Sequence, residues 1–467
     1  MPSRPAFFYN PLFPTFYFGL HHPMKPFRTA LVHELILAYG LDEYLNYLTP
    51  RDATFNDLVL YHTPDYVRFL KNVTPETLGK FQDLAKRYNI TDDCPVFAGL
   101  YDYCTMTVGA SVSACAHLNH GLCDVALNWM GGYHHAKASE ASGFCYANDL
   151  VLGILELLKV HERVLYVDID IHAGDGVEEA FYTTNRVMTV SFHKYDNDFF
   201  PGTGNLFDNG ADQGHGYAIN FPLKDAVDDD TFIYIFTEVM KDVMEYFNPH
   251  AIVLQCGADS LAGDRLGFFN LTLKGHGECI RTLYEYSKAS GIPLLLTGGG
   301  GYTARSAAKC WAYETSLVCE QVLSEQIPAN QFYEYYGPDY SLLVPRVNLP
   351  NQNTVADINE KLAYIRARLR KLQPGNVCGG TSTCTTVISE PPPDSELHRG
   401  KDRDYYGGRP TPEDLNGEGQ HDGEGVSEGT RLRLRSERDE PTVIMMDEQG
   451  FKDPGLRNET DGPDQGY

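Results

Sequence analysis

Short apolar runs alternate with longer stretches of helical periodicity from the start of the chain to about residue 375. "DVALNWMGG", "RVLYVDIDIH", "RVMTVSFH", "HAIVLQCGADS" and "IPLLLTGGGG" are each a short apolar run ended by Gly or polar residues, the pattern of a buried strand. "NDLVLGILELLKVH" and "DDDTFIYIFTEVMKDVMEYF" instead repeat their apolar residues at helical spacing, and Asn148 or Asp149 is placed to cap the first. Alternation of the two predicts an α/β architecture, a mostly parallel sheet with helices on both faces. Such sheets bind ligands beyond the carboxyl ends of their strands.

The pattern stops near residue 376. From there to residue 467 Gly, Pro, Ser, Thr, Asp and Glu dominate, and such a segment cannot bury enough apolar area to offset its ordering entropy. We therefore expect a folded catalytic domain over residues 1–375 and a disordered acidic tail over 376–467. "RLRLRSER" within that tail reads as a solvated charge run in preference to a localisation or contact element.

Composition sharpens this picture. The formal charge is −25; the tail holds 20 acidic and 10 basic side chains, leaving about −15 for the rest. That balance argues against sequence-specific gripping of DNA, which needs clustered Lys and Arg, and makes a basic polypeptide the better partner. Hydrophobic residues at 42% and aromatic residues at 12% allow a sizeable core. Eleven cysteines lack the spacing of a zinc ribbon or of paired disulfides, and "MPSRPAFFYNPLFPTF" lacks the pattern of a signal peptide, so a reducing cytosolic or nuclear compartment is expected. No apolar run approaches the ~20 residues of a membrane span.

The chemistry gathers at strand ends. In "VDIDIHAGDG" an extended backbone sends Asp168, Asp170 and His172 to one side, with Val167, Ile169 and Ile171 on the other. Buried carboxylates without a cation or strong donors are costly, and an Asp and a His two residues apart make a natural pair of divalent-metal ligands. An open catalytic zinc site takes three protein ligands, and "IVLQCGADS" offers Asp259 as the third, although Asp there also suits a helix cap. "NWMGGYHHA" ends another strand with His134 and His135, which can divide charge stabilisation and proton transfer between them, with Asp168 and Asp175 as carboxylate partners. "LLLTGGGGYT" presents Tyr302 after four glycines; a phosphate-binding loop is the rival reading, but no Lys-Ser/Thr follows. A phenol there could donate to a developing oxyanion.

Taken together these residues resemble the zinc-dependent histone deacetylases of class I, within the three-layer arginase/deacetylase fold, and most closely the histone deacetylase 3 type. The resemblance runs from "FFYNP" through "QFYEYYGPDYSL" and on towards residue 370, about four-fifths of the chain, and is carried by "GLHHPMKPFR", "DDCPVF", "HHAKASEASGFCYAND", "DGVEEAFY", "FFPGTG" and "GGGGYT". It implies zinc held by Asp170, His172 and Asp259; His135, oriented by Asp175, as general base and then acid; His134, paired with Asp168, as electrostatic support; and Tyr302 polarising the acetyl carbonyl. Phe144 and Phe200 match the aromatic walls of the acyl-lysine tunnel. Gly143, Leu266 and Gly300 match further substrate positions, and Asp93 matches a carboxylate that accepts from the substrate backbone.

The resemblance also implies two structural monovalent-cation (potassium) sites, one of Asp168, Asp170, His172, Ser191 and Phe192, the other of Phe181, Thr184, Val187 and Tyr217. Lys25, Arg265 and Arg305 match positions that bind an activating inositol phosphate at the contact with a corepressor's deacetylase-activating domain. The implied substrates are acetylated histone tails, the implied role is transcriptional repression, and the implied location is the nucleus, with the cytoplasm as a second compartment.

Five features depart from the family pattern: Tyr17 and His21 stand where His and Gly are usual, Tyr133 replaces a Leu, Ala173 replaces a second His, and "ECIRTLYEYSKASGIP" is about four residues longer. Rival readings are a small-molecule amidohydrolase, a two-metal ureohydrolase and a silent scaffold. A two-metal site would need further bridging carboxylates, and the scaffold would have lost Tyr302 or Asp259.

Overall fold

Strands whose side chains are buried on both faces need cover on both, and the chain supplies it. The computed structural model describes residues 4–196 and 198–372. Within them eight strands form one all-parallel sheet: β1 (Ala6–Phe8), β2 (Asn46–Leu48), β3 (Val125–Asn128), β4 (Val164–Asp168), β5 (Val187–Lys194), β6 (Ala218–Leu223), β7 (Ala251–Gln255) and β8 (Leu294–Thr297), in the order β2-β1-β3-β8-β7-β4-β5-β6. Successive residues serve opposite cores. Leu165, Val167, Ile252 and Leu254 pack with the helices Arg28–Ala38, Asp229–Phe247, Leu273–Ser290 and Ala304–Val318, whereas Val164, Tyr166, Ala251 and Val253 pack with Leu100–Asn119 and Asp149–Leu157. This is the three-layer α/β fold that the resemblance implies.

Three strands lacked a legible pattern. β1 and β2 are only three residues long, and β6, "AINFPL", carries Asn and Pro. The strand expected through His172 ends at Asp168, although backbone pairing continues from Ile169 N to Gln255 O (3.1 Å) and from Lys194 N to Ile171 O (2.8 Å). Alternation survives that end, since Ile169 and Ile171 enter one core while Asp170 and His172 turn towards the carboxyl edge. Asn148, not Asp149, caps the helix Asp149–Leu157, its Oδ1 accepting from Val151 N. The long helix Leu273–Ser290 ends at Gly291, whose φ of 67° suits glycine.

All nine cysteines among the described residues are unpaired and buried, and no described helix is long and apolar enough to cross a membrane. The expected tail, 376–467, lies outside the described residues, as does its "RLRLRSER" run.

Candidate active site and metal centre

β3, β8, β7 and β4 are neighbours, so their carboxyl ends deliver four loops to one place. The loop after β3 is drawn in by Asp149, a buried carboxylate that accepts from Gly132 N (3.0 Å), Tyr133 N (2.8 Å) and Ser111 Oγ (2.6 Å). Gly132 has φ of 102°, and a Cβ there would lie 2.1 Å from Gly298 O. His134 and His135 follow, both buried, with ring centres 3.9 Å apart. His134 Nδ1 donates to Asp168 Oδ2 (2.8 Å), which also accepts from Tyr166 OH (2.6 Å). His135 Nδ1 donates to Asp175 Oδ1 (2.7 Å), whose other oxygen is held by Lys137 Nζ at 2.6 Å.

Their environments push the two imidazoles apart. Burial opposes charge on His134, but the carboxylates of Asp168 and Asp170 outweigh it and raise its pKa to about 9. Burial, with the charge of His134 beside it, lowers His135 to about 3 despite Asp175. One is a cation at neutral pH and the other a free base.

Asp170, His172 and Asp259 bring one donor atom each within 4.8 Å of the others. His172 Nδ1 lies 3.0 Å from Asp170 Oδ1 and 3.2 Å from Asp259 Oδ2. Asp170 Oδ2 accepts from Gln255 Nε2 (2.9 Å) and Gly300 N (2.8 Å), and Asp259 Oδ1 accepts from Ile171 N (3.0 Å). Asp259 Oδ2 is buried and accepts no hydrogen bond. Burial and the nearby Asp170 push the Asp259 carboxyl up to about 7, the mark of two carboxylates crowded without a cation. A Cβ at Gly300 would lie 1.8 Å from Asp259 Oδ2, and one at Gly257 2.1 Å from Asp170 Oδ2, so glycine is required at both. Two carboxylates, one imidazole and an unsatisfied oxygen fit an open divalent-metal site of the zinc type.

A pocket above these groups is lined by Asp93, His135, Gly143, Phe144, His172, Phe200 and Tyr302. Phe144 stands edge-on to Tyr302 (centroids 5.6 Å apart) and Phe200 edge-on to His135 (4.8 Å). Gly143, at φ 50°, lets the chain pass where a Cβ would lie 2.5 Å from His135 Cδ2. Tyr302 N and Thr303 N donate to Asp264 Oδ2 (2.7 and 3.0 Å), and Asp264 Oδ1 accepts from Leu266 N (3.0 Å). Leu266 is half-buried on this turn and is absent from the pocket lining.

The remaining expected sites are assembled less fully. Ser191 pairs in register with Asp168 across β4 and β5, beside Phe192, which puts the first cation set around one strand end. Phe181 ends a helix, Val187 opens β5 and Tyr217 precedes the adjacent β6; Phe181 O already accepts from Thr184 N, and Tyr217 O from Thr189 N. Lys25 Nζ donates to Gly19 O (2.9 Å) and Leu20 O (3.0 Å) and lies over the Tyr17 ring. Partial burial and the charge of Arg265 lower its pKa. Arg305 stands in the first turn of the helix Ala304–Val318.

Sequence reasoning missed Gln255, Asp264 and Tyr166 and gave Asp149 no role at the site. A lone amide in the apolar run "AIVLQC" was a signal for Gln255. Asp264 sits in a loop of ordinary composition and offered none.

A family profile for the histone deacetylase domain matches residues 22–318. The chain is 55% identical over 373 residues to a protein of Oryza sativa subsp. japonica named Histone deacetylase 3, covering 79% of this chain and 72% of that one. It is 50% identical over 364 residues to Histone deacetylase 1 of Homo sapiens (78% and 74% covered), and 50% identical over 391 residues to Histone deacetylase 19 of Arabidopsis thaliana (84% and 75% covered).

Proposed function

This chain belongs to the histone deacetylase family and is a hydrolase, and from that premise we propose that it cleaves the acetyl amide of N6-acetyl-lysine in histone tails, giving lysine and acetate. The observation that carries the reading is the buried, unsatisfied Asp259 Oδ2 beside Asp170 and His172, under a pocket walled by Phe144 and Phe200. Acetyl-lysine is neutral and loses little on leaving water for aromatic walls, whereas a lysine ammonium loses much. Zinc, when held by Asp170, His172 and Asp259, supplies Lewis acidity and makes nearby water more acidic. His135, neutral down to about pH 3, takes the proton from the attacking water and passes it to the departing amine. His134 contributes positive charge where the carbonyl oxygen gains negative charge, and the Tyr302 hydroxyl donates to that oxygen. Asp93 in the pocket lining accepts from the substrate backbone beside Gly143, and Leu266 and Gly300, which lie outside that lining, are the further substrate positions that the resemblance implies.

The same reading extends to potassium at the two cation sets, to activation by an inositol phosphate at Lys25, Arg265 and Arg305, and to a corepressor partner and repressive role in the nucleus. Lys25's bonds to its own loop are the cost such a ligand has to offset.

The test is deacetylation of an acetyl-lysine histone peptide by the purified chain with zinc quantified, Tyr302→Phe as control, and a corepressor fragment plus inositol phosphate as activators. Zinc-dependent turnover lost in the variant is expected. Bound zinc without turnover of any acyl-lysine peptide would overturn the reading in favour of a small-molecule hydrolase or a scaffold.

A further inference from the structure

Behind the metal centre, away from the pocket, lies a second trio of metal-ligating side chains: His276, Cys310 and Glu314, all buried. His276 comes from the helix Leu273–Ser290 and the other two from Ala304–Val318. Neither side chain of the His276–Glu314 pair is exposed at all, and such a pair costs more desolvation than apolar residues of the same volume. Something other than packing has to account for it.

Contacts identify what the pair holds. His276 Nδ1 is hydrogen-bonded to Glu314 Oε1, and its Nε2 donates to Gly257 O at 2.9 Å. Trp311, one turn before Glu314 on the same helix, donates from Nε1 to Cys256 O at 2.8 Å. Two successive carbonyls of the β7 exit are thus gripped from below. The following turn, Ala258–Ser260, carries Asp259, and Ala258 N donates to Gly300 O (2.9 Å). Glu314 Oε2 has no hydrogen-bond partner, so this carboxylate acts through its charge and through Oε1, which bonds to His276 Nδ1 and accepts from Cys310 Sγ at 3.4 Å. The three side chains bond to one another, Cys310 Sγ also lying 3.5 Å from His276 Nδ1.

We propose that Glu314 and His276 are positioning residues for the metal centre, holding the Gly257 carbonyl so that the Ala258–Ser260 turn presents Asp259 Oδ2 to zinc. Glu314 orients the ring through Nδ1, which aims Nε2–H at the carbonyl, the same outer support that metal-binding histidines receive from carboxylates. This rests on the reading of Asp170, His172 and Asp259 as the zinc site.

The experiment measures zinc stoichiometry, the zinc dissociation constant by chelator competition, and thermal unfolding of the metal-free full chain. The parent is compared with Glu314→Gln and with the double variant His276→Leu, Glu314→Leu. Both variants are expected to bind zinc about 10-fold or more weakly, within the ~10–100-fold range of outer-shell changes, while the metal-free double variant unfolds at or above the parent temperature. Parent-like zinc affinity in both variants overturns the proposal, because a purely structural pair would leave the metal untouched. If the double variant does not fold, Glu314→Gln decides alone, since it keeps an acceptor at the same place and removes the charge. Two zinc ions per parent chain, one of them lost in the variants, would make the trio a metal site and also overturn it. A parent that binds no zinc removes the zinc reading and this inference together; a zinc-binding parent with unchanged variants removes the inference alone.

Discussion

His134 and His135 are neighbours in sequence with opposite protonation, because burial opposes charge on both, the carboxylates of Asp168 and Asp170 outweigh it at His134, and the charge of His134 adds to it at His135. The proposed reaction needs His135 neutral and His134 protonated, and protonation of His134 is lost as pH rises through about 9. A nearby zinc ion disfavours the imidazolium and can only lower that limit. We predict that kcat/KM falls at or below about pH 9, and a profile still rising at higher pH would remove His134 from the charged role. Tyr302→Phe deletes one oxyanion donor, so kcat should fall by about 10²–10³ with zinc content unchanged, as peptide turnover and metal analysis would register. Both histidines were legible as a pair; the division of labour between them came from the resemblance and not from their spacing, since it depends on Asp168, Asp170 and Asp175 arriving from the β4 exit.

At the scale of the element, the loops are held by groups far from them in sequence. His62 Nδ1 donates to Lys137 O (3.0 Å) while its Nε2 accepts from Asn148 N (3.0 Å), pinning both ends of the segment that carries Phe144. Burial lowers its pKa to about 4. The unfolded chain, with histidine near 6.5, therefore binds the proton first, so stability is kept above pH 6.5 and declines as pH falls towards 4. The loss is on the order of 3 kcal/mol, and His62→Gln should flatten the fall in melting temperature over that window. Gly300→Ala puts a methyl group into Asp259 Oδ2, and loss of both bound zinc and turnover is expected, readable by metal analysis. The glycine run was conspicuous in sequence, but that Gly300 in particular faces a ligand follows only from β8 lying beside β7.

At the scale of the molecule, the sheet order sets Asp170 and Asp259, 89 positions apart, on adjacent strand exits. Metal-free protein keeps these carboxylates crowded, so zinc removal should lower the unfolding temperature. Zinc at a hundredfold excess over its dissociation constant should restore about 2.7 kcal/mol, whereas magnesium, which favours oxygen ligands and its own water shell, should not. Calorimetry with and without chelator measures both.

The α/β class, five of the eight strands and the three zinc-ligand candidates were determined by sequence alone, because apolar runs and costly polar residues at their ends are local features. β1, β2 and β6 escaped because short or Asn- and Pro-bearing strands owe their pairing to neighbours. The extended run through His172 was legible as alternation, but its regular ladder ends at Asp168, and beyond it backbone bonds run from Ile169 to β7 and from β5 to Ile171. Gln255 left a signal only as a lone amide in an apolar run, and Asp264 and the Glu314–His276 pair were decided by tertiary structure alone. A hydrogen bond between segments tens of residues apart leaves no periodicity, and only the packing of helices on the sheet brings its donor and acceptor together.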